Sequence, residues 1–315
     1  MVAVESPSEV LDFVIIGAQK SASSFLRRRL DQHPAVDLAK GEVPSFEDPY
    51  YDRGAVDRLS ELFGPRRPDV RRGIKRPDYL GQSAVPARLA AHVPSTKLFA
   101  VLRDPVARAV SAYFHYVRHN FIPVRPCEEG LTALLDNSLQ TQYPRSAEIL
   151  TYGRYGEHLG RYLDHFPREQ MIIFLQERLA AEPAEVVRES YEFIGVDSSF
   201  VPGHDIQSSN SGVYDLRRLR FLRTGYRAAF VYEKDLRTRR PRRSNPMGSG
   251  WLAAVRVIDK LALSHLDRSR APTLSEPLRA RLRDYYAADT ARLRALLGED
   301  FPASNWLRCD QTRTE

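Results

Sequence analysis

The feature that most constrains the fold of this chain is a short apolar segment that runs directly into a turn of small residues. Residues 12–17 read DFVIIG and are followed by the turn AQKSAS. Uninterrupted apolar runs of this length are typical of strands that are buried on both faces of a parallel sheet. The apolar residues after the turn recur at helical spacing as far as His33-Pro34, where we expect the helix to end.

The same order of strand, turn and helix occurs again further along the chain. KLFAVL (97–102) predicts a second buried strand, and Pro105 suits the first position of the helix that follows. QMIIFLQE (170–177) predicts a third strand. Helical patterns cover three further stretches: residues 152–166, 183–194 and 276–297. This alternation predicts an α/β fold with a central parallel sheet flanked by helices.

No linker in the sequence divides the chain convincingly, so we predict one domain over residues 1–315. Its ends, residues 1–10 and 308–315, are expected to be flexible. The remaining stretches with loop-like composition are residues 35–73, 202–212 and 236–250. The last of these is predicted to be a basic loop, because it holds the arginine run Arg237–Arg243.

The charge and cysteine content narrow the classes of protein to which this chain can belong. Lysine and arginine number 47 against 40 acidic residues, a formal net charge of +7 that suggests an anionic partner such as nucleic acid, a phosphate ester or a membrane surface. No apolar run is long enough to span a membrane, and the first residues do not resemble a secretory signal. Only Cys127 and Cys309 are present, which predicts no disulfide framework and favours a reducing cytoplasm.

The turn after the first strand predicts an anion site. A strand that ends in small residues before a helix directs backbone N–H groups and the positive end of the helix dipole toward one point. Lys20 adds a full charge there, and the predicted cradle comprises Lys20, Ser21, Ala22, Ser23 and Ser24. The spacing is not that of a Walker loop, whose lysine stands at the helix entrance after a second glycine. A strand–turn–helix without any ligand is the other interpretation of this turn.

A second anion site is predicted where the second strand ends. Arg103 follows that strand at its carboxyl end, where α/β sheets bind ligands. Arg108 and Ser111 recur on the polar face of the next helix, so that a guanidinium and a hydroxyl would converge there. The alternative is a strand-capping arginine beside a solvated helix face. Two anion sites on neighbouring turns indicate a ligand with a phosphate group at each end.

These two motifs resemble those of the sulfotransferases that use 3′-phosphoadenosine 5′-phosphosulfate (PAPS). IIGAQKSASSFL is similar to their 5′-phosphosulfate loop, and RDPVARAVSAY (103–113) matches their 3′-phosphate segment, R-[DN]-P-x-x-R-[AS]-x-S-x-[YF], throughout. The resemblance extends from about residue 12 to 306 and is weakest over residues 214–275. It implies a P-loop-like fold, with PAPS held by the small-residue turn, Arg103 and Ser111, and no metal.

The resemblance is strongest to the carbohydrate branch, which is similar to heparan sulfate and bacterial sulfotransferases. GEVPSF (41–46) aligns with their glutamate segment and places Glu42 at the catalytic base, although Gly41 and Pro44-Ser45 depart from it. Glu47 and Asp48 are nearby alternatives. GIKRPDYL (73–80) places Lys75 at a catalytic lysine, with Arg76 where the family has a small hydroxyl residue.

The function that this resemblance implies is metal-free transfer of a sulfuryl group to an acceptor hydroxyl. The acceptor would be a glycan, a glycolipid or a glycosylated natural product. The competing hypotheses are a P-loop-type nucleotide-dependent kinase and a basic protein that binds nucleic acid or a membrane through Arg237–Arg243. We expect no nucleic-acid partner, and we keep peripheral membrane contact through the arginine run open. The sequence does not specify an oligomeric state.

Overall fold

The computed structural model of the chain describes residues 10–203, 212–232, 239–242, 246–267, 269–298, 301 and 306. Within this part of the chain the strands are β1 (Phe13–Gly17), β2 (Val36–Leu38), β3 (Arg71–Lys75), β4 (Lys97–Leu102), β5 (Met171–Leu175), β6 (Phe230–Tyr232) and β7 (Arg239–Pro241).

The α-helices alternate with these strands over much of the chain. They are α1 (Ser23–Leu30), α2 (Val85–His92), α3 (Pro105–Arg118), α4 (Cys127–Leu135), α5 (Glu148–Thr151), α6 (Tyr155–Leu163), α7 (Gln176–Ala181), α8 (Pro183–Ile194), α9 (Leu216–Ala229), α10 (Pro246–Ile258), α11 (Ser264–Leu266) and α12 (Glu276–Leu297). A π-helical turn, Asp259–Leu263, joins α10 to α11.

The predicted α/β class is confirmed. Five strands form one sheet in the order β2-β3-β1-β4-β5, and every neighbouring pair is parallel. The predicted strands at 12–17, 97–102 and 170–177 correspond to β1, β4 and β5. The predicted helices at 183–194 and 276–297 are α8 and α12, whereas β2 and the first residues of β3 lie within residues 35–73, which we predicted to be loop-rich.

Both faces of the sheet are covered, as the uninterrupted apolar runs require. Val14 and Ile16 of β1 belong to one apolar cluster, and Phe13 and Ile15 belong to another. Helices α1 and α8 contribute side chains to the second cluster. Helices α2 and α6 and the end of α12 contribute side chains to the first. All five residues of β1 are buried, because successive side chains point to opposite and equally dry faces.

The chain divides into two compact units. The first comprises residues 1–104, 154–209 and 289–308 and holds the five-stranded sheet; the second comprises residues 105–153, 210–288 and 309–315. The second unit has its own apolar cluster, built from α3, α4, α5, α9, α10 and the start of α12. One domain over residues 1–315 stays a prediction.

The structure describes only parts of the predicted basic loop and of the predicted flexible ends. The basic loop predicted at 236–250 contains β7 and the first residues of α10, while residues 236–238 and 243–245 are outside the described part. Of the predicted flexible ends, only Val10 is described, and it is buried. Among the described helices, none combines the length and the apolar character that crossing a membrane requires.

Candidate active site

The turn between β1 and α1 is a tight backbone structure that small residues permit. A side chain at Gly17 would lie 2.7 Å from the Cβ of Leu80, so that only glycine fits at the end of this strand. Lys20 and Ala22 have left-handed φ values of 68° and 67°. The turn therefore brings its backbone close to the start of α1 without bulky side chains in between.

The start of α1 has the properties expected of an anion cradle. Ala22 is the N-cap residue, and its side chain cannot accept a hydrogen bond from the first helical turn, which contains no acidic residue. Ser21 is fully buried, and its hydroxyl has no hydrogen-bond partner among the described residues. Ser23 is buried and Ser24 is half-buried. The unpaired N–H groups of a helix start favour a negative charge at this place.

Arg103 lies beside this turn. Strands β1 and β4 are parallel neighbours, so their carboxyl ends meet at one edge of the sheet. The Nη1 of Arg103, immediately after β4, donates to the backbone carbonyl of Lys20 at 3.4 Å. The structure thus brings Lys20 and Arg103 together on one side of the first unit.

Lys75 and Glu42 form an ion pair at the same edge. Lys75 ends β3, and its Nζ lies 3.0 Å from Glu42 Oε1 and 3.0 Å from the hydroxyl of Ser24 at the start of α1. The side chain of Lys75 is 4% exposed, whereas that of Glu42 is 44% exposed. The carboxylate is therefore within reach of a molecule from solvent, and the ammonium group lies behind it.

The segment that carries Glu42 is attached to the sheet by its backbone. The N–H of Val43 donates to the carbonyl of Lys75 at 3.1 Å, and the Tyr79 hydroxyl donates to the carbonyl of Val43. Tyr79 is fully buried, and burial raises the pKa of its hydroxyl above the usual value, so that it stays a donor. These bonds fix the position of the carboxylate next to β3.

Arg76 is a residue of this site that the sequence did not identify as functional. Its guanidinium contacts three carboxylates: Glu42 at 3.0 Å, Asp78 at 3.2 Å and Glu47. Burial lowers the pKa of Arg76, but these carboxylates outweigh burial and raise it above its usual value. The signal in the sequence was the departure from the family pattern at this position, together with the acidic residues at 42–48.

The cluster also reaches the anion-binding turn. Asp78 accepts a hydrogen bond from the Nε2 of Gln19 at 2.9 Å, and both side chains are buried. Gln19 precedes Lys20 directly. Arg76 and Asp78 thus connect the segment of Glu42 with the turn of Lys20 through polar contacts.

The two alternatives to Glu42 have different surroundings. The side chain of Glu47 is 8% exposed and is paired with Arg76. Asp48 is exposed but pairs with Arg88 at 2.9 Å. Of the three acids, Glu42 is the one in contact with Lys75, which favours it over its neighbours.

The residues of the second predicted anion site belong to two different units. Ser111 is half-buried on α3 and belongs to the second unit, whereas Arg103 belongs to the first, so its part in binding stays a prediction. The expectation that Arg108 lies on a polar face is wrong. Arg108 is fully buried in the second unit, where its guanidinium donates to the backbone carbonyl of Ile149.

Other polar candidates can be placed as well. Within the arginine run, Arg240 and Arg242 are exposed, and Arg237 and Arg243 lie outside the described residues. No group of three or more histidine, cysteine or acidic side chains that could hold a metal ion occurs in the described part of the chain.

Three comparisons with known proteins bear on the family. A family model described as "Sulfotransferase domain" matches residues 11–211. The chain is 32% identical over 215 residues to human heparan sulfate glucosamine 3-O-sulfotransferase 3A1, covering 68% of this chain and 51% of that protein. It is 29% identical over 181 residues to the bifunctional heparan sulfate N-deacetylase/N-sulfotransferase 1 of Caenorhabditis elegans, covering 56% of this chain and 21% of that protein.

A solved structure is similar over nearly the whole chain. The sulfotransferase from Alicyclobacillus acidocaldarius superimposes with a TM-score of 0.63 at 25% sequence identity, covering 95% of this chain and 99% of that one. The chain spans about half the length of the heparan sulfate 3-O-sulfotransferase described above.

Proposed function

This chain belongs to the sulfotransferase family, and on that premise we propose that it transfers a sulfuryl group from PAPS to a hydroxyl group of a glycan acceptor. The observation that carries the proposal is the meeting of Lys20, Lys75, Arg103 and Glu42 at the carboxyl edge of the sheet. These four residues combine three cations with one carboxylate that a molecule from solvent can reach. A nucleotide-dependent kinase is the less favoured alternative, because no Walker spacing precedes α1.

The residues present fit the donor. Its 5′-phosphosulfate is an anion that the uncapped start of α1, the side chain of Lys20 and the buried hydroxyl of Ser21 can bind. Ala22, Ser23 and Ser24 leave room for close approach of the backbone. Arg103, with Ser111, is proposed to hold the 3′-phosphate, and PAPS supplies the sulfuryl group when bound.

The protein's own groups then divide the chemistry. Glu42 takes the proton of the acceptor hydroxyl as the oxygen forms its bond to sulfur, and the bond from sulfur to the phosphate oxygen breaks. Lys20 and the N–H groups of α1 stabilise the charge that develops on that leaving oxygen. Lys75, 3.0 Å from Glu42, is suited to the sulfate oxygens. The products are a sulfate ester and adenosine 3′,5′-bisphosphate, and the reaction requires no metal.

A glycan is the acceptor class that the comparisons favour. Two relatives are named for heparan sulfate. A glycolipid or a glycosylated natural product would present the same hydroxyl chemistry. Aromatic side chains can stack on sugars or pack in the core: Phe46, Tyr79 and Phe121 are buried in the core, whereas Tyr50 and Tyr51 are partly exposed.

Two binding measurements and one assay test the function. Isothermal titration with adenosine 3′,5′-bisphosphate should show binding without a metal, and ATP with magnesium should bind far more weakly. Transfer from ³⁵S-labelled PAPS to pooled glycans, lipids and metabolites should then give a labelled product for mass spectrometry. Tight ATP binding without bisphosphate binding would favour the kinase and overturn the proposal.

We also propose that the protein acts in a reducing cytoplasm. Support comes from the cysteine content of two residues and from Cys127, a free thiol buried in the second unit. Fractionation of the natural host cells, followed by detection of this protein in each fraction, tests the proposal. Recovery of the protein in a secreted or luminal fraction would contradict it.

A further inference from the structure

The segment from Pro246 to Leu266 exposes a large share of the apolar side chains found at the surface. Among the described residues, ten large apolar side chains are exposed, and six of them lie here: Met247, Trp251, Val257, Ile258, Leu261 and Leu266. Met247 is 82% exposed, Leu266 76% and Leu261 70%. A concentration of this kind marks a surface that another body covers.

These side chains occupy a stripe that is distinct from the buried face of the same helix. Met247, Trp251 and Ile258 are spaced four and seven residues apart, so they lie on one side of α10. Leu252 and Val255 lie on another side and are buried against α9. There, a side chain at Gly225 would come within 3.0 Å of Leu252, which shows how closely the two helices approach.

The neighbouring helix contributes a row of positive charge. Arg217, Arg220 and Arg227 are exposed on α9 at spacings of three and seven residues, with Thr224 between them on the same face. The indole Nε1 of Trp251 donates to the hydroxyl of Thr224 at 3.1 Å. The arginine face of α9 therefore adjoins the apolar stripe of α10 directly.

No acidic side chain offsets this charge within the two helices. The described residues 216–232, 239–242 and 246–258 contain no aspartate or glutamate. The carboxylates that follow are used internally, because Arg218 binds Asp259 through two hydrogen bonds of 2.6 and 2.9 Å and Asp267 at 2.8 Å. These bonds fix the end of the apolar segment against α9. The exposed residues Arg217, Arg220 and Arg227 take no part in them.

We propose that this α9–α10 surface, formed by Arg217, Arg220, Arg227, Met247, Trp251, Ile258 and Leu261, docks on an anionic membrane. The apolar stripe would enter the interfacial region, Trp251 would lie at the headgroup level, and the arginines would bind phosphate or carboxylate headgroups. An adjoining apolar stripe and a basic row with no acid among them are complementary to a negatively charged lipid surface.

Two other occupants fit the same surface less well. In a second copy of this chain bound face to face, the arginine rows of two α9 helices would be brought together, and like charges repel. A polynucleotide would use the arginines but would leave Met247 and Leu261 in water. The docking depends on the second unit alone and does not require the proposed transfer reaction.

Vesicle co-sedimentation with the full chain tests the proposal. The protein should bind phosphatidylcholine vesicles that contain phosphatidylglycerol, should bind pure phosphatidylcholine far more weakly, and should dissociate as salt rises. M247S/L261S should lower the partition coefficient at least tenfold, by removing two exposed apolar side chains. R217Q/R220Q should lower it about twenty-five-fold, at roughly fivefold for each arginine near an anionic surface.

Matched variants separate docking from a general loss of charge or apolar area. L62S/V201S removes two exposed apolar residues of the first unit, and R281Q/R292Q removes two exposed arginines of α12; both should bind vesicles as the parent does. Bisphosphate affinity and thermal unfolding verify that each variant is folded. The proposal is overturned if the parent fails to bind anionic vesicles, if the matched variants lose binding equally, or if M247S/L261S instead converts a solution dimer to a monomer.

Discussion

At the scale of single residues, Glu42 combines accessibility with a fixed position. Its two oxygens each contact one cation, Lys75 and Arg76, at 3.0 Å. A carboxylate has about four acceptor positions, so these contacts leave room for a hydroxyl proton. The half-exposed carboxylate can therefore be oriented by the protein and still meet an acceptor.

Replacing Glu42 by glutamine tests the base. E42Q keeps the shape of the side chain but cannot take a proton, so turnover should fall by about 10²–10⁴. Affinity for adenosine 3′,5′-bisphosphate, measured by titration calorimetry, should stay near that of the parent. E169Q, at an exposed acid, serves as the control. Full activity in E42Q would exclude Glu42 as the base and direct attention to Glu47 or Asp48.

Arg76 should stabilise the fold through the buried acids that it pairs. R76Q removes the guanidinium that pairs with Glu47 and Asp78, and the loss of one partner of a buried ion pair costs about 3 kcal/mol or more. Adding E47Q to R76Q should recover part of that loss. Guanidinium unfolding of R76Q, E47Q and the double variant measures the recovery. R188Q, which breaks an exposed pair with Glu185, should change stability by less than about 0.5 kcal/mol. Equal losses in R76Q and R188Q would contradict this role.

Cys127 should be chemically inert at neutral pH. Burial, and to a smaller degree Glu128, raise the pKa of the thiol to about 12. Because the thiolate is the reactive form, the group stays protonated until the pH approaches that value. In a C309S variant, iodoacetamide labelling at pH 7 should be slow in the native protein and should become fast in denaturant. Rapid native labelling would show that the thiol is accessible.

At the scale of elements, α12 determines how α6 begins. Asp289 of α12 accepts hydrogen bonds from the N–H groups of Gly156 at 2.9 Å and Glu157 at 2.8 Å, in the first turn of α6. A side chain from a distant helix thus performs the function of a local cap, since the N-cap residue Arg154 makes no side-chain cap.

Removing this distant cap should destabilise the first unit. D289A is expected to cost about 1–2 kcal/mol in guanidinium unfolding, whereas D284A, at an exposed position of the same helix, should be close to neutral. Burial raises the pKa of Asp289 above its usual value of 3.8, so its stabilising contribution is greatest at acidic pH and declines as pH rises through the folded-state pKa. The cost of D289A should therefore be larger near pH 4 than at pH 7; the reverse order would contradict this assignment.

At the scale of the whole molecule, donor binding and stability are linked. A ligand that binds only the folded protein at one hundred times its Kd stabilises it by about 2.7 kcal/mol. Adenosine 3′,5′-bisphosphate should therefore raise the Tm of the parent by several degrees. R103A should abolish most of this rise, and R281A should retain it. An unchanged Tm in the parent at saturating bisphosphate would contradict the donor assignment.

Much of the fold was predictable because it depends on local pattern. Fully buried strands need uninterrupted apolar runs, so β1 and β4 were apparent, and the position of Arg103 after β4 placed it at the ligand-binding edge. Strand β3 was missed because it reads RRGIK, a sequence with a single large apolar residue. Three of its five residues are charged, yet Arg72 and Lys75 are buried.

The sequence by itself determined the α/β class, the small-residue turn before α1 and the residue types at the strand ends, since each of these depends on neighbours a few positions away. Only the tertiary structure decided which charged side chains are buried and what they contact. Arg76 meets acids from positions 42, 47 and 78, and Arg108 meets the carbonyl of Ile149. A charge can leave water only where a partner replaces the lost solvation, and those partners come from segments that folding alone brings together.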